Sequence, residues 1–203
     1  MRTSFIFFLY RTIQTAALPL LFLYVLGRGL RTPRYFNRCA ERFGRLPRSF
    51  SGTAAGGFWL HAVSVGEVLS STELVRGLSG LGPVWISCST LSGRDAAETK
   101  FGKLAQGVFY APFDYVWAVR SVLRALRPSV IIVLETEIWP NLYREATRAG
   151  CGLILVNGRI SDKTAEAYRS MRWFLHLYLH SRAILAQSDT DAALPGCGPL
   201  RSA

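Results

Sequence analysis

Residues 57–67 read GFWLHAVSVGE. The apolar run 57–63 lacks the polar alternation of a half-exposed strand, so it is expected to form a strand covered on both faces. Ser64, Gly66 and Glu67 then mark a turn, and a helical pattern takes over at 68–78. Further apolar runs at 84–88, 108–110, 130–134, 153–156 and 183–186 alternate with helical stretches that include 115–125, 138–149 and 164–180. Buried strands separated by helices require right-handed crossovers. The chain is therefore expected to be an α/β protein with a doubly wound, Rossmann-like parallel sheet over residues 57–192.

In such a sheet, ligands bind beyond the carboxyl ends of the strands. The residues that follow the six runs are, in order, Ser64, Gly66 and Glu67; Ser89, Thr90, Ser92, Gly93 and Arg94; Pro112, Phe113 and Asp114; Glu135, Thr136 and Glu137; Asn157, Gly158 and Arg159; and Gln187 and Ser188. Converging on one rim, they suit a hydroxylated or phosphorylated ligand. No GxGxxG follows the first run and no GxxxxGK[ST] occurs, which argues against a dinucleotide oxidoreductase and a P-loop NTPase.

Among the carboxylates, Glu67 follows Gly66 at a helix start, where backbone N–H groups and the helix dipole favour the ionised form. An ionised carboxylate there accepts the proton of a sugar hydroxyl as it attacks an electrophilic carbon. By spacing alone, an ordinary acid at a helix N-terminus fits equally well. Glu135 and Glu137 precede a second helix, with Thr136 as a candidate N-cap and Pro140 tolerated in the first turn.

The formal charge of +11 is local: residues 1–48 hold nine arginines and one acid, Glu41. Residues 1–27 are mostly apolar, but Arg11, Gln14 and Pro19 leave the uninterrupted stretch short of the ~20 residues of a bilayer span. Gly27, Arg28 and Arg31 follow in place of a small-residue cleavage site. We read 1–27 as an interfacial or tilted membrane anchor, with a helix packed on the domain as the alternative, and 28–56 as a basic juxtamembrane helix and a Ser/Gly/Ala-rich linker. Arginines 28, 31, 34, 38, 42, 45 and 48 recur at helical spacing, as for a face held against the anionic cytoplasmic leaflet; nucleic acid is not expected as a partner. Cys39, Cys88, Cys151 and Cys197 form no CxxC pair, and His176 and His180 have no acidic third ligand nearby, so no metal site is expected. His61 is read as a core or near-site residue, and Trp59, Trp85, Trp117, Trp139 and Trp173 as core or as an apolar acceptor wall.

The chain also carries HAVSVGE at 61–67, STLSG at 89–93, APFD at 111–114, ETEIWPNL at 135–142, NGRIS at 157–161 and AQSDTDA at 186–192. In content, order and spacing these strings resemble the 3-deoxy-D-manno-octulosonic acid (Kdo) transferases, and the apolar, arginine-tailed N-terminus looks like that family's membrane anchor. The resemblance implies an inverting, metal- and cofactor-independent glycosyltransferase of the two-domain GT-B type at the cytoplasmic face of the inner membrane. It would move Kdo from CMP-Kdo to a lipid A precursor (lipid IVA) in lipopolysaccharide core synthesis. Mapped onto this chain, Glu67 is the general base and Glu135 the transition-state stabiliser. Ser64, Gly66, Ser92, Gly93, Arg94, Asp114, Glu137, Asn157 and Arg159 are the acceptor-side residues. Departures are Cys88 and Leu91 in the second string and NGRIS in place of NARLS. The family's C-terminal donor domain, which binds CMP-Kdo, is not encoded, and residues 193–203 drift from the pattern; a truncated, frameshifted or split product carrying the acceptor half is the expectation. A silent lipid A precursor-binding fragment and a soluble nucleotide-binding domain are the alternatives.

Overall fold

The computed structural model describes residues 2–50, 52, 55–134, 139–158 and 183–186. Six strands, β1 (Phe58–His61), β2 (Val84–Cys88), β3 (Gly107–Tyr110), β4 (Val130–Leu134), β5 (Gly152–Gly158) and β6 (Ala183–Ala186), form one sheet in the order β3-β2-β1-β4-β5-β6. Every neighbouring pair is parallel. The expected doubly wound, Rossmann-like sheet is thus present. Because β1 pairs with both β2 and β4, the chain first winds to one edge and then returns, and the switch point lies between β1 and β4.

Side chains alternate across the sheet with a period of two. Trp59, Trp85, Phe109, Ile131 and Val133 face one layer, with α7 (Val116–Leu126) and α8 (Pro140–Arg148) supplying Val122, Leu126, Leu142 and Tyr143. Leu60, Ile86, Val108, Ile132 and Leu134 face the other, packed on Val68 of α4 (Val65–Ser70), Val75 of α5 (Thr72–Ser79) and Phe101 of α6 (Leu91–Phe101). Residues 68–78, expected as one helix, belong to two. Three successive hydroxyls, of Ser70, Ser71 and Thr72, donate to the carbonyls of Glu67, Val68 and Leu69, and such side-chain bonds compete with the helical backbone.

The N-terminal segment is α1 (Arg2–Ala16) and α2 (Leu18–Arg31), bent by 48° at Ala17. The polar residues that interrupt the apolar run fasten α1 to the domain. Tyr10 donates to Asp114 (2.9 Å), Arg11 donates to Asn141 and Glu145, and Gln14 donates to the Asp114 carbonyl while its own carbonyl accepts from Tyr115. Phe7, 2% exposed, joins the core. No single helix among the described residues is long and apolar enough to cross a membrane. The other face of the pair stays bare, with Phe5, Phe8, Ile13, Leu20, Phe22, Leu23 and Leu30 exposed.

A single basic helix over the later arginines is not what forms. Pro33 follows the end of α2 and starts a 3-10 turn, Pro33–Phe36, while Arg38 (φ 57) and Gly44 (φ +74) frame the one-turn α3 (Cys39–Arg42). Gly44 is held in place twice over, by its left-handed φ and by the Ala118 carbonyl, which lies 2.4 Å from where a Cβ would stand. The arginines therefore diverge. Arg34 pairs with Asp95, Arg38 with Glu41, and Arg42 turns inward and is buried.

Candidate active site

Beyond β1 the chain turns at Ser64 into α4, and the turn closes on itself. Ser64 is the N-cap, and its hydroxyl accepts from the Glu67 N–H (3.4 Å) and donates to Glu67 Oε1 (2.8 Å). The Glu67 carboxylate reaches back to accept from Ser64 N–H (3.1 Å) and Val63 N–H (2.7 Å), a complete capping box. Glu67 is 5% exposed, whereas the neighbouring Gly66 is exposed, and a Cβ there would make an ordinary 3.9 Å contact with the Ser64 hydroxyl. The donors orient the Glu67 carboxyl at the switch point beside the exposed backbone of Gly66. The arrangement closes the N-terminus of α4 as a cap.

The β2–α6 turn abuts this one. Thr90 caps α6, accepting from Gly93 N–H (3.0 Å) and donating to the Val63 carbonyl (3.2 Å). A Cβ on Gly93 would lie 2.7 Å from the Thr90 hydroxyl and 3.2 Å from the Val63 carbonyl, so Gly93 sets the close approach of α6 to the Glu67 turn. Behind β1, Trp59 and His61 share the hydroxyl of Ser87 (2.8 Å each), and the His61 ring meets Trp139 edge-on at 5.3 Å. Trp139 also lines a cleft of about 570 Å³ with Tyr24 and Arg28 of α2, Arg42, Ser89 and Ser92. Of the rim expected from the sequence, this cleft holds Ser89, Thr90 and Ser92 after β2 and Pro112 and Phe113 after β3, while Ser64, Gly66 and Glu67 are not in its lining.

Residues 37–194, more than half of the chain, match the family model described as 3-deoxy-D-manno-octulosonic-acid transferase (kdotransferase). The chain belongs to this family. It is 29% identical over 191 residues to the 3-deoxy-D-manno-octulosonic acid transferase of Haemophilus influenzae, covering 90% of this chain and 43% of the relative. The enzyme of the same name from Bordetella pertussis is 32% identical over 197 residues (90% and 45%), and that from Rickettsia prowazekii 34% over 150 residues (72% and 32%). The chain therefore spans less than half the length of these Kdo transferases.

With the Kdo transferase frame in place, the expected site residues sort into three groups. Ser64, Gly66 and Glu67 stand together at the β1 turn, and Ser92 lines the cleft. Gly93, Arg94 and Asp114 serve the fold. The Arg94 guanidinium is buried in ion pairs with Glu41 (2.6 Å) and Glu98 (2.8 Å) and donates to the Val108 carbonyl, so it is not free to meet a phosphate. Asp114 is buried between α1 and α8, accepting from Tyr10 and from the amides of Asn141 and Leu142. It caps α8 from across the fold, while the N-cap position itself is Trp139 and not Thr136. Burial raises the Asp114 carboxyl to about 6 against the pull of those donors. Glu135, Glu137 and Arg159 lie outside the described residues; Asn157 is the penultimate residue of β5, its side chain outside them.

The residue that sequence reasoning misplaced is Arg42. Counted with a basic face held against the cytoplasmic leaflet, it is instead 4% exposed and lies over the rings of Tyr110 (4.2 Å) and Tyr35 (4.7 Å). The only available hint was the aromatic residues set among the arginines, Tyr35, Phe36 and Phe43, which suit packing better than a wet helix face.

Proposed function

We propose that this chain is the acceptor-binding half of a Kdo transferase, transferring Kdo from CMP-Kdo to a lipid A precursor with Glu67 as general base. The observation that carries the reading is the Ser64–Glu67 turn. In a chain of this family, it presents an oriented carboxyl beside exposed backbone at the switch point of the sheet. As an acceptor hydroxyl attacks the anomeric carbon of Kdo, the C–O bond to CMP breaks and Glu67 takes the hydroxyl proton. The donor is held by a second domain, and no metal or cofactor is required. Glu135 is proposed to stabilise the departing charge.

The bent α1–α2 pair is proposed to lie on the cytoplasmic face of the inner membrane, its bare apolar face in the headgroup boundary and the cleft beside it. This placement brings an amphiphilic acceptor to the rim without extraction from the bilayer.

The test is complementation. Purified chain mixed with the C-terminal half of a relative, CMP-Kdo and a lipid A precursor is expected to transfer Kdo. Glu67→Gln should lower kcat by about 100-fold or more, far beyond the loss of about 1–2 kcal/mol in stability expected from disturbing the capping box. Wild-type turnover by Glu67→Gln would remove the base assignment. Precursor binding with no turnover under any complementation would leave a binding module in place of an enzyme.

A further inference from the structure

The first turn of α8 is satisfied from outside the helix, and by one carboxyl group. Pro140 at its first position has no N–H to place, the Tyr143 N–H donates to the Trp139 carbonyl (2.9 Å), and Trp139 supplies no capping side chain. The two amides between them, of Asn141 and Leu142, both donate to Asp114 (2.9 and 2.8 Å). Asn141, fully buried, is fixed in turn. Its side-chain NH2 donates to Gln14 Oε1 (2.8 Å) and to the Asp114 carbonyl, and its Oδ1 accepts from Arg11 (3.1 Å). Tyr10 donates to the same Asp114 carboxyl (2.9 Å), and Gln14 to the Asp114 carbonyl (3.0 Å). Among the described residues, the start of α8 is therefore held by Asp114 and by three side chains of α1. Both ends of this network meet the same cleft. Phe113, next to Asp114, and Trp139, at the N-cap, line it, and α2, which continues α1 across the bend at Ala17, lines it with Tyr24 and Arg28.

We propose that Asp114 is a positioning residue through which α1 sets a wall of the cleft: Tyr10, Arg11 and Gln14 hold Asp114 and Asn141 in one arrangement, and these fix Trp139. The inference rests on the reading of the chain as an acceptor-binding half, and it gives α1 the task of fixing a surface that the acceptor meets. The linkage has little slack. One carboxyl spans two consecutive amides, so turning the first turn of α8 strains both bonds. Pro140 has a fixed φ, and Trp139, as the residue before a proline, is confined to extended conformations such as its observed φ −116, ψ 85. The orientation of α8 is thus passed to the Trp139 ring, which rests edge-on against His61 at 5.3 Å. Thr12, on the same helix, bonds instead to the Phe8 carbonyl of α1 itself (2.9 Å) and supplies an internal control.

The full chain, in detergent, is labelled with fluorotryptophan and read by fluorine NMR, the Trp139 and Trp85 resonances being assigned with Trp139→Phe and Trp85→Phe. Tyr10→Phe, which removes one hydroxyl and keeps the ring, and Asp114→Asn are expected to displace or broaden the Trp139 resonance. Both should leave Trp85, in the sheet core, in place. Thr12→Ala should move neither. A Trp139 resonance unmoved in Tyr10→Phe, or moved equally by Thr12→Ala, would overturn the linkage. An equal displacement of Trp85 would make Asp114 a stabiliser of the fold alone and overturn it as well. Should Asp114→Asn fail to fold, Tyr10→Phe and Gln14→Leu carry the same test. In the complementation assay, Tyr10→Phe should raise the KM for the lipid acceptor about threefold to tenfold, the scale of one hydrogen bond, and leave the KM for CMP-Kdo unchanged. In a Trp139→Ala background it should have no further effect, and additive effects of the two substitutions would overturn the proposal. Absence of transfer in that assay, with the Trp139 displacement retained, would strike the transferase reading alone.

Discussion

At the scale of single residues, two buried carboxylates hold α1 and α8 in place, and they respond to pH with opposite sign. Glu145, 3% exposed, is pushed up by burial, but Arg120 (2.6 Å), Arg148 and Arg11 outweigh it and set the carboxyl below its usual range. A depressed folded value contributes stability that is present above the unfolded value and lost as pH falls through the folded one. Asp114 behaves the other way. Its folded value of about 6 exceeds the unfolded one of roughly 3.9, so its contribution is complete only below the latter and is lost as pH rises through 6. Urea denaturation across pH should therefore show Asp114→Asn flattening a rise in stability on acidification from 6 towards 4, and Glu145→Gln flattening the fall below about 4. Glu145→Gln should also cost about 1–3 kcal/mol at neutral pH, less than a fully buried pair because its arginine partners are partly exposed. A shared slope in the two variants would remove this assignment. None of this was legible beforehand. Asp114 read as a rim residue because it follows a strand, and only the fold brings Tyr10 and the α8 amides to it.

Between residue and molecule, elements are set against one another by close approach, and α6 against the Glu67 turn is the case with consequences for the site. Gly93→Ala places a Cβ against the Thr90 hydroxyl, which can give, and the Val63 carbonyl, which is backbone and cannot. The melt of this variant should report a loss of about 1–3 kcal/mol, and complemented kcat should fall because the turn carrying Glu67 shifts. An unaltered melt with unaltered transfer would mean that the two turns move independently. The strands themselves were plain in the sequence. Val84–Cys88, Val130–Leu134 and Ala183–Ala186 form where apolar runs stand between turn residues, since two-sided burial leaves a local signature. The basic segment was not plain, because seven arginines at helical spacing look alike whether they face water, Asp95 or two tyrosine rings. Arg11 and Gln14 were read only for what they interrupt. They weakened the apolar run as a span, and their actual work is to fasten α1 to Glu145, Asn141 and Asp114.

For the whole molecule, the question is what covers the bare side of α1 and α2. The two helices are docked by one face and apolar on the other, and the bend at Ala17 keeps them from forming one straight span. The proposed placement along a bilayer would set this apolar side at the acyl boundary. The exposed Trp117, stacked on Phe43 and near Tyr115, adds the amphipathic aromatics that favour such a boundary. If the face is a membrane face, binding to neutral phosphatidylcholine vesicles should persist at high salt, because buried apolar area sets it and screening does not touch that. Each large side chain withdrawn should weaken partition by about 1.5–3 kcal/mol, so Phe8→Ser together with Leu23→Ser should lower it about 100-fold or more. Both positions are exposed, so the melt in detergent should barely move. The same pair of changes discriminates a protein partner. Vesicle binding unchanged in the double variant, with a monomer–dimer equilibrium lost instead, would assign the face to a second copy of the chain and detach the cleft from the bilayer.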